Sequence, residues 1–237
     1  MHAEKKLDLK DIVLIGRTFD EYYNMFALGD LNPQRERILD VASGVSSFCK
    51  EANSKGYDVI ASDRIYNFLP AEIEKKCKRD LETVVSELTK VMDLYNWDFF
   101  KTVSDLRTAR EMAYKLFVED FKLQGSKRYI YTDYPCNSFT DKQFTVSLVS
   151  HFLFMYDEHL DYGFHKKTIL ELIRISSDEV RIFPLVNLKG KRSVFVEELL
   201  KDPELNTFQT EIRKVDYEFV KNGNEMLVIK SQSNKPR

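Results

Sequence analysis

Apolar positions near the start of the chain recur at helical spacing. In "TFDEYYNMFAL", Phe19, Tyr22, Tyr23 and Phe26 form one stripe, which reads as packing more readily than as a lid over a ligand. "ERILDVA" is short and continuously apolar, the signature of a buried strand. "SSFCKEANSKG" predicts a helix with serine near its start and Gly56 just past its end. "YDVIASD" predicts a second buried strand. Strand, turn, helix and strand in this order, with a connection of this length, imply a parallel crossover.

Helical character then appears twice within 64–127. "AEIEKKCKRDLETVVSELTKVMDLY" carries Ile73, Cys77, Leu81, Val84, Val85, Leu88 and Met92 along one side. "SDLRTAREMAYKLFVEDFKLQG" opens with a plausible cap at Ser104 and stops at Gly125. A crossover needs one helix, so two predict a helical insertion, or cap, over 64–127 inside a single domain spanning 1–237. The run "KKCKR" reads as a solvated helix face. Trp97, Phe99 and Phe100 either anchor the insertion or line a substrate pocket. Strand character returns in "RYIYTDYP" and "FTVSLVSHFLF", followed by the helix "HKKTILELIRIS", the strand "EVRIFPLV" and the helix "VFVEELLKD". Finally, "TEIRKVDYEFV" and "EMLVIKS" flank "KNGN", and Asn-Gly between two such runs signals a hairpin. The expected fold is α/β, with a mostly parallel sheet that closes in an antiparallel hairpin.

Composition narrows the class. Hydrophobic residues make up 43% and charged residues 31%, the profile of a soluble globular chain with a sizeable core. A net charge of −2 calls for neither nucleic acid nor an anionic membrane as partner. "MHAEKKLDLKDIVLIG" is apolar over too short a stretch for a secretory signal, and no run approaches the ~20 apolar residues of a membrane helix. Cys49, Cys77 and Cys136 are odd in number and far apart, which suggests a reducing, cytoplasmic setting without a disulfide framework or zinc site. Nothing in the sequence sets an oligomeric state.

The chemistry gathers at strand ends. Asp40 and Asp63 close two consecutive strands, and the loop between them holds the small residues Ala42, Ser43, Gly44, Ser46 and Ser47. In an open parallel sheet, ligands bind outside the carboxyl ends of the strands, and an acid ~20 residues past the loop can accept both ribose hydroxyls. A third acid, Asp133, is expected to end the third strand. Three acids on one edge repel a phosphate and suit hydroxyls, an amine or a positive centre. Each feature also has a plainer reading: strand-end acids cap nearby amides, and Gly44 serves only a turn.

At this point the sequence resembles the class I S-adenosylmethionine (SAM)-dependent methyltransferases. In "DYPCNSFTDKQFTVSLVSHFLF", Asp133, Phe139, Asp141 and Phe144 fall in register with the family's Asp, Leu-Pro-Phe, Ser-Phe-Asp pattern. Residues 151–153 stand where its fourth strand opens over the ligand. In "LELIRISSDEVRIFPL", Arg174 holds the place of the arginine in Arg-Val-Leu-Lys-Pro-Gly-Gly. The resemblance covers 19–230, leaves the insertion unmatched and points to a microbial subgroup of unknown substrate. It implies a Rossmann-like, seven-stranded sheet and SAM as cofactor. It places Asp40 under the methionine part, Asp63 on the ribose, and Asp133 with Tyr134 along the adenine edge. Ala42, Ser43, Gly44, Arg64, His151 and Phe152 complete the implied cofactor contacts. His151 is the implied base, with His159 and His165 weaker candidates in the loop that follows.

The departures from the family pattern are specific. Ala42 and Ser46 replace the first and third glycines of Asp-x-Gly-x-Gly-x-Gly, Thr145 replaces an aspartate, and Ser-Ser-Asp-Glu at 176–179 replaces Lys-Pro-Gly-Gly. Ala and Ser are tolerable at negative φ, whereas a positive φ costs each about 1–2 kcal/mol. Ser46 or Ser47 is expected to cap the next helix, whose N-terminus favours the methionine carboxylate. The expected activity is methyl transfer to a small-molecule acceptor held by the insertion, without metal or nucleic acid. The alternative is a SAM-binding regulator or scaffold that transfers nothing. A nicotinamide oxidoreductase is disfavoured by the missing Gly-x-Gly-x-x-Gly and by the terminal hairpin.

Overall fold

The structure, a computed structural model, describes residues 13–233. The stretch read for a secretory signal lies largely outside them. Seven strands form one sheet: β1 (Arg37–Val41), β2 (Asp58–Asp63), β3 (Tyr129–Tyr131), β4 (Phe144–Ser150), β5 (Ser176–Phe183), β6 (Phe208–Lys214) and β7 (Glu225–Ser233). Their order is β3-β2-β1-β4-β5-β7-β6. The first five run parallel, and β7 is antiparallel to both β5 and β6. This is the sheet that the sequence led us to expect.

Helices cover both faces, so the central strands are apolar on both sides. Along β1, Ile38 points into one core, and Leu39 and Val41 point into the other. The first core is closed by α1 (Phe19–Met25) and α2 (Phe48–Ser54) through Tyr22, Phe26 and Phe48, and the second by α5 (Tyr162–Ile175) and α6 (Val194–Lys201) through Ile169, Leu172 and Val196.

The segment between β2 and β3 forms α3 (Pro70–Leu88) and α4 (Val103–Gln124). Phe117 and Phe121 of α4 stack near Tyr66 and meet Tyr129 of β3 edge-on, so α4 is the helix that closes the crossover. α3 packs along it, with Ile73, Cys77 and Leu81 buried. The cap of α4 is Thr102 rather than Ser104. Thr102 is extended, and its hydroxyl accepts the Asp105 N–H at 3.1 Å. Nor is "KKCKR" a wholly solvated face, because Lys76 is buried against Asp80, whose carboxylate also accepts the Leu14 N–H at 2.7 Å.

Two strands end earlier than expected. β4 stops at Ser150, because His151 takes a left-handed φ of 50°. β6 stops at Lys214, and 215–224 is a loop with Asn222 (φ 65°) and Gly223 at its tip. Tyr217 and Phe219 alternate as strand residues do, yet both meet the aromatic run of the insertion. Tyr217 meets Phe99, and Phe219 meets Tyr95, Trp97 and Phe100. Tyr95 bridges Val220, and the Asn96 N–H reaches the Phe219 carbonyl at 2.8 Å. The aromatic run of the insertion is thus an anchor. β6 runs parallel to β5, so its carboxyl end and the loop after it share an edge with the ends of β1, β2 and β4.

Candidate functional site

The site is built from β1 outward. Asp40 lies fully buried near the end of β1 and accepts the Ser43 hydroxyl at 2.5 Å and the Tyr22 hydroxyl at 3.0 Å. Burial pushes its carboxyl up to about 7. The Ser43 and Tyr22 hydrogen bonds oppose that shift, and the charge of Asp63 adds to it. Asp63 ends β2. Its two oxygens accept the Ile65 N–H at 2.9 Å and the Gly44 N–H at 2.8 Å. Burial raises this carboxyl too, against those two amide bonds. The loop is tied down further by Ser43 N–H to the Ser62 carbonyl (3.1 Å) and by the Tyr66 hydroxyl to the Gly44 carbonyl (3.0 Å). Asp63 therefore does cap amides on the loop, whereas Asp40 accepts two hydroxyls instead.

Two expectations about this loop need correction. Ala42 has φ 49°, in the left-handed region that favours glycine, whereas Ser46 does not. The strain of about 1–2 kcal/mol therefore falls on Ala42 alone. Ala42→Gly is expected to stabilise the protein by about 0.5–1 kcal/mol, the relief less the extra chain entropy of glycine, read as a higher midpoint in urea. The serines do not cap α2. The Ser47 hydroxyl donates to Glu51 at 2.5 Å and the Ser46 hydroxyl accepts the Arg17 N–H at 3.2 Å. The competing partner is the segment before α1, which crosses the loop so closely that a Cβ on Gly16 would lie 2.1 Å from the Val45 carbonyl oxygen.

The remaining expected residues are distributed along the same edge. Asp133 is exposed two residues past β3, rather than at its end, with its carboxylate 3.6 Å from Arg64. Tyr134 is buried, and its hydroxyl lies 2.7 Å from that of Ser62, beside the Asp40 carbonyl. His151 follows β4. Its N–H binds the Phe183 carbonyl at 2.7 Å, and its Nδ1 lies 3.0 Å from the Ser150 hydroxyl. Desolvation, followed by the charges of Arg17 and Arg110, holds its imidazole well below the ordinary histidine range, so it is neutral at pH 7. Phe152 packs between Tyr134 and Phe164. His159 is exposed. His165 is not in the loop but buried in α5, with Nδ1 2.8 Å from the Asp161 carbonyl and its ring against Phe154 and Phe195.

No family model matches the chain. The uncharacterized protein MJ0045 of Methanocaldococcus jannaschii is 51% identical over 225 residues, which cover 94% of this chain and 98% of that protein. This chain belongs to the MJ0045 family. Among solved structures, the PH0226 protein from Pyrococcus horikoshii OT3 is 15% identical with a TM-score of 0.50, over 90% of each chain. The magnesium protoporphyrin IX methyltransferase (ChlM) from Synechocystis PCC 6803, solved with bound SAM, is 11% identical with a TM-score of 0.48, over 90% of this chain and 77% of that one. At 15% identity, the likeness to PH0226 bears on the fold alone. The fold of this MJ0045 relative is the Rossmann-like class I methyltransferase fold, with its reversed last strand and a helical insertion after the second strand.

The structure adds residues that sequence reasoning missed. Tyr22 belongs to the packing stripe and stacks on Phe48 at 4.1 Å, yet its hydroxyl reaches Asp40. The signal was a tyrosine where phenylalanine would pack as well. Glu21 is forked by Arg110 and also accepts the Tyr217 hydroxyl at 2.7 Å. These partners are 89 and 196 residues from Glu21, and only the fold joins them.

Proposed function

We propose that this protein binds SAM at the ends of β1 and β2 and transfers its methyl group to a small-molecule acceptor. The observation that carries the reading is the Gly44 loop, bolted at its base and open at its crown. A side chain at Gly44, with φ 59°, would meet nothing within 4 Å, whereas its N–H and carbonyl are held by Asp63 and Tyr66. Backbone can thus approach an adenosyl group closely between two acids. Each Asp63 oxygen accepts one amide and keeps a lone pair for a ribose hydroxyl. Asp40 is a buried acid that a cationic amine would stabilise as carboxylate.

SAM supplies a methyl group already activated on a sulfonium, so the chain's own task is orientation and proton handling. Asp40 and Asp63 would fix the two ends of the cofactor. Tyr134, and Asp133 with Arg64, lie toward β3, where the base would extend. His151 is neutral and engages Ser150 through Nδ1, which leaves Nε2 to take a proton from an oxygen or nitrogen acceptor. Its left-handed φ fits a position held for function rather than for packing. The joined loops 89–102 and 215–224 narrow the same edge and favour a small acceptor over a polymer. Among the described residues, no helix is long and apolar enough to cross a membrane.

Calorimetric titration with SAM and S-adenosylhomocysteine, with NADH as control, tests the reading. Binding of the two sulfur ligands alone is expected, and binding of neither would end it. His151→Asn, chosen because asparagine tolerates φ above zero, is expected to keep homocysteine-ligand affinity within about twofold and to slow turnover by about 10²–10⁴. An unchanged rate would remove His151 as base. The strained Ala42 favours the second reading, a SAM-binding protein without transfer. That reading predicts binding with no S-adenosylhomocysteine formed over a panel of amines, phenols and carboxylic acids.

A further inference from the structure

The segment before α1 carries a cation, Arg17, with no ion-pair partner among the described residues. The Arg17 backbone is locked to the loop. Its N–H binds the Ser46 hydroxyl at 3.2 Å, and its carbonyl accepts the Ser47 N–H at 3.0 Å. Its guanidinium meets no carboxylate among the described residues. NH1 reaches only the Ile15 carbonyl at 3.3 Å, and Nε is buried with no hydrogen-bond partner. The nearby acid, Glu21, is already forked by Arg110. Two guanidiniums and one carboxylate leave this half-buried corner with an uncompensated positive charge among the described residues. Burial, and then Arg110, lower the Arg17 pKa, which marks the charge as costly to keep there. Beside burial, the same charge helps to lower His151 and opposes the burial-driven rise of Tyr156, so it acts on the end of β4 where the proposed base stands. A half-buried guanidinium whose backbone is clamped to the loop between Asp40 and Asp63 presents the donor fork that a carboxylate-bearing ligand complements.

We infer that Arg17 is the subsite for a substrate carboxylate. The inference rests on the methyltransferase reading for the identity of the ligand, and two sources share this chemistry: the α-carboxylate of the cofactor's methionine part, and a carboxylate on the acceptor. Asp40 and Arg17 then divide the work, the acid receiving the amine and the guanidinium the carboxylate. The carboxylate role expected of the α2 N-terminus passes to Arg17, since the carbonyl of that residue already takes the Ser47 amide.

Arg17→Met and Arg17→Lys separate the outcomes. Each is titrated with S-adenosylhomocysteine, with 5′-methylthioadenosine, which lacks the amino-acid part, and with benzoate in the presence and absence of the nucleosides. Loss of 10-fold or more in S-adenosylhomocysteine affinity in Arg17→Met, with methylthioadenosine unchanged and partial rescue in Arg17→Lys, supports the inference with the cofactor as source. Unchanged nucleoside affinities with loss of benzoate binding support it with the acceptor as source. Thermal unfolding of the ligand-free variants is the second readout. Arg17→Met is expected to melt at or above the wild-type temperature, because an unpaired buried charge has gone. Unchanged binding of all three ligands overturns the inference, as does a lowered melting temperature accompanied by equal loss of both nucleosides. If the wild type binds neither nucleoside, the proposed function falls and the benzoate titration alone decides Arg17.

Discussion

Arg110→Met is expected to destabilise the protein by about 3–5 kcal/mol, the range for leaving one partner of a buried ion pair alone. Arg110 and Glu21 are 5% and 0% exposed. The guanidinium grips the carboxylate at 2.5 and 2.8 Å and reaches the Gly16 carbonyl at 3.2 Å. Glu21 also accepts the Thr18 N–H at 3.0 Å and the Tyr217 hydroxyl. Burial alone would push this carboxyl up. Arg110, with Arg17 and the Thr18 amide, more than offsets that, and Glu21 lies below its usual range. A depressed acid contributes stability that is present above its unfolded value and lost as pH falls through the folded one, so this fork weakens only in acid. The cluster joins the segment before α1, helix α4 and the 215–224 loop, the three parts that enclose the candidate site. Urea unfolding of Arg110→Met, Glu21→Leu and the double variant checks it. The double variant is expected to recover at least half of either single loss, because neither member of the pair is left buried without the other. Single losses below about 1 kcal/mol would show that the fork is not what holds these parts together.

That cluster also marks the limit of what the sequence discloses. The positions of the first strands were legible because β1 and β2 are covered on both faces and stand out as apolar runs that stop at acids. The reversed last strand was legible from Asn222-Gly223, although the strand before it ends eight residues earlier, since Tyr217 and Phe219 alternate like strand residues while packing on the insertion. Periodicity records that a side chain is apolar, not which neighbour it meets. Local capping misled for a similar reason. Ser46 and Ser47 have the right chemistry for a cap, but the segment around Arg17 and the Glu51 side chain compete for the same hydroxyls, and that segment is some thirty residues away in sequence. Asp40, Gly44 and Asp63 were legible as a group because one loop holds all three. Tyr66, Arg110 and Tyr217 were not, because they come from the β2–β3 connection and from the loop after β6, and only the fold brings them to their partners. The left-handed φ of Ala42 was invisible for a simpler reason: alanine normally signals the opposite.

Asp40→Asn is expected to make the ligand-free protein more stable at pH 8 and to weaken SAM binding in the same solution. A carboxyl whose midpoint moves from 3.8 to about 7 on folding favours its protonated form in the native state. Between those values the folded protein binds more protons than the unfolded chain. Stability therefore falls as pH rises from about 4 to 7 and levels off above. By pH 8 the charged, buried Asp40 costs on the order of 4 kcal/mol. Asparagine carries no charge, can accept the Tyr22 hydroxyl through its oxygen and can donate to the Ser43 hydroxyl, so it escapes this cost. Melting temperatures of the two proteins are expected to lie nearest to each other at or below about pH 4 and to separate in favour of the variant as pH rises to 8. The function explains why an acid that costs stability is kept. If Asp40 receives the amine of the cofactor, binding needs the carboxylate, and below pH 7 a proton must leave first. Wild-type affinity for S-adenosylhomocysteine should then rise severalfold, at most about tenfold, from pH 6 to pH 7, while 5′-methylthioadenosine shows no such rise. In Asp40→Asn the pH dependence should vanish and the affinity for S-adenosylhomocysteine should stay low throughout. A variant that gains stability at pH 8 and still binds S-adenosylhomocysteine as the wild type does would leave Asp40 a buried acid with no part in binding the amine.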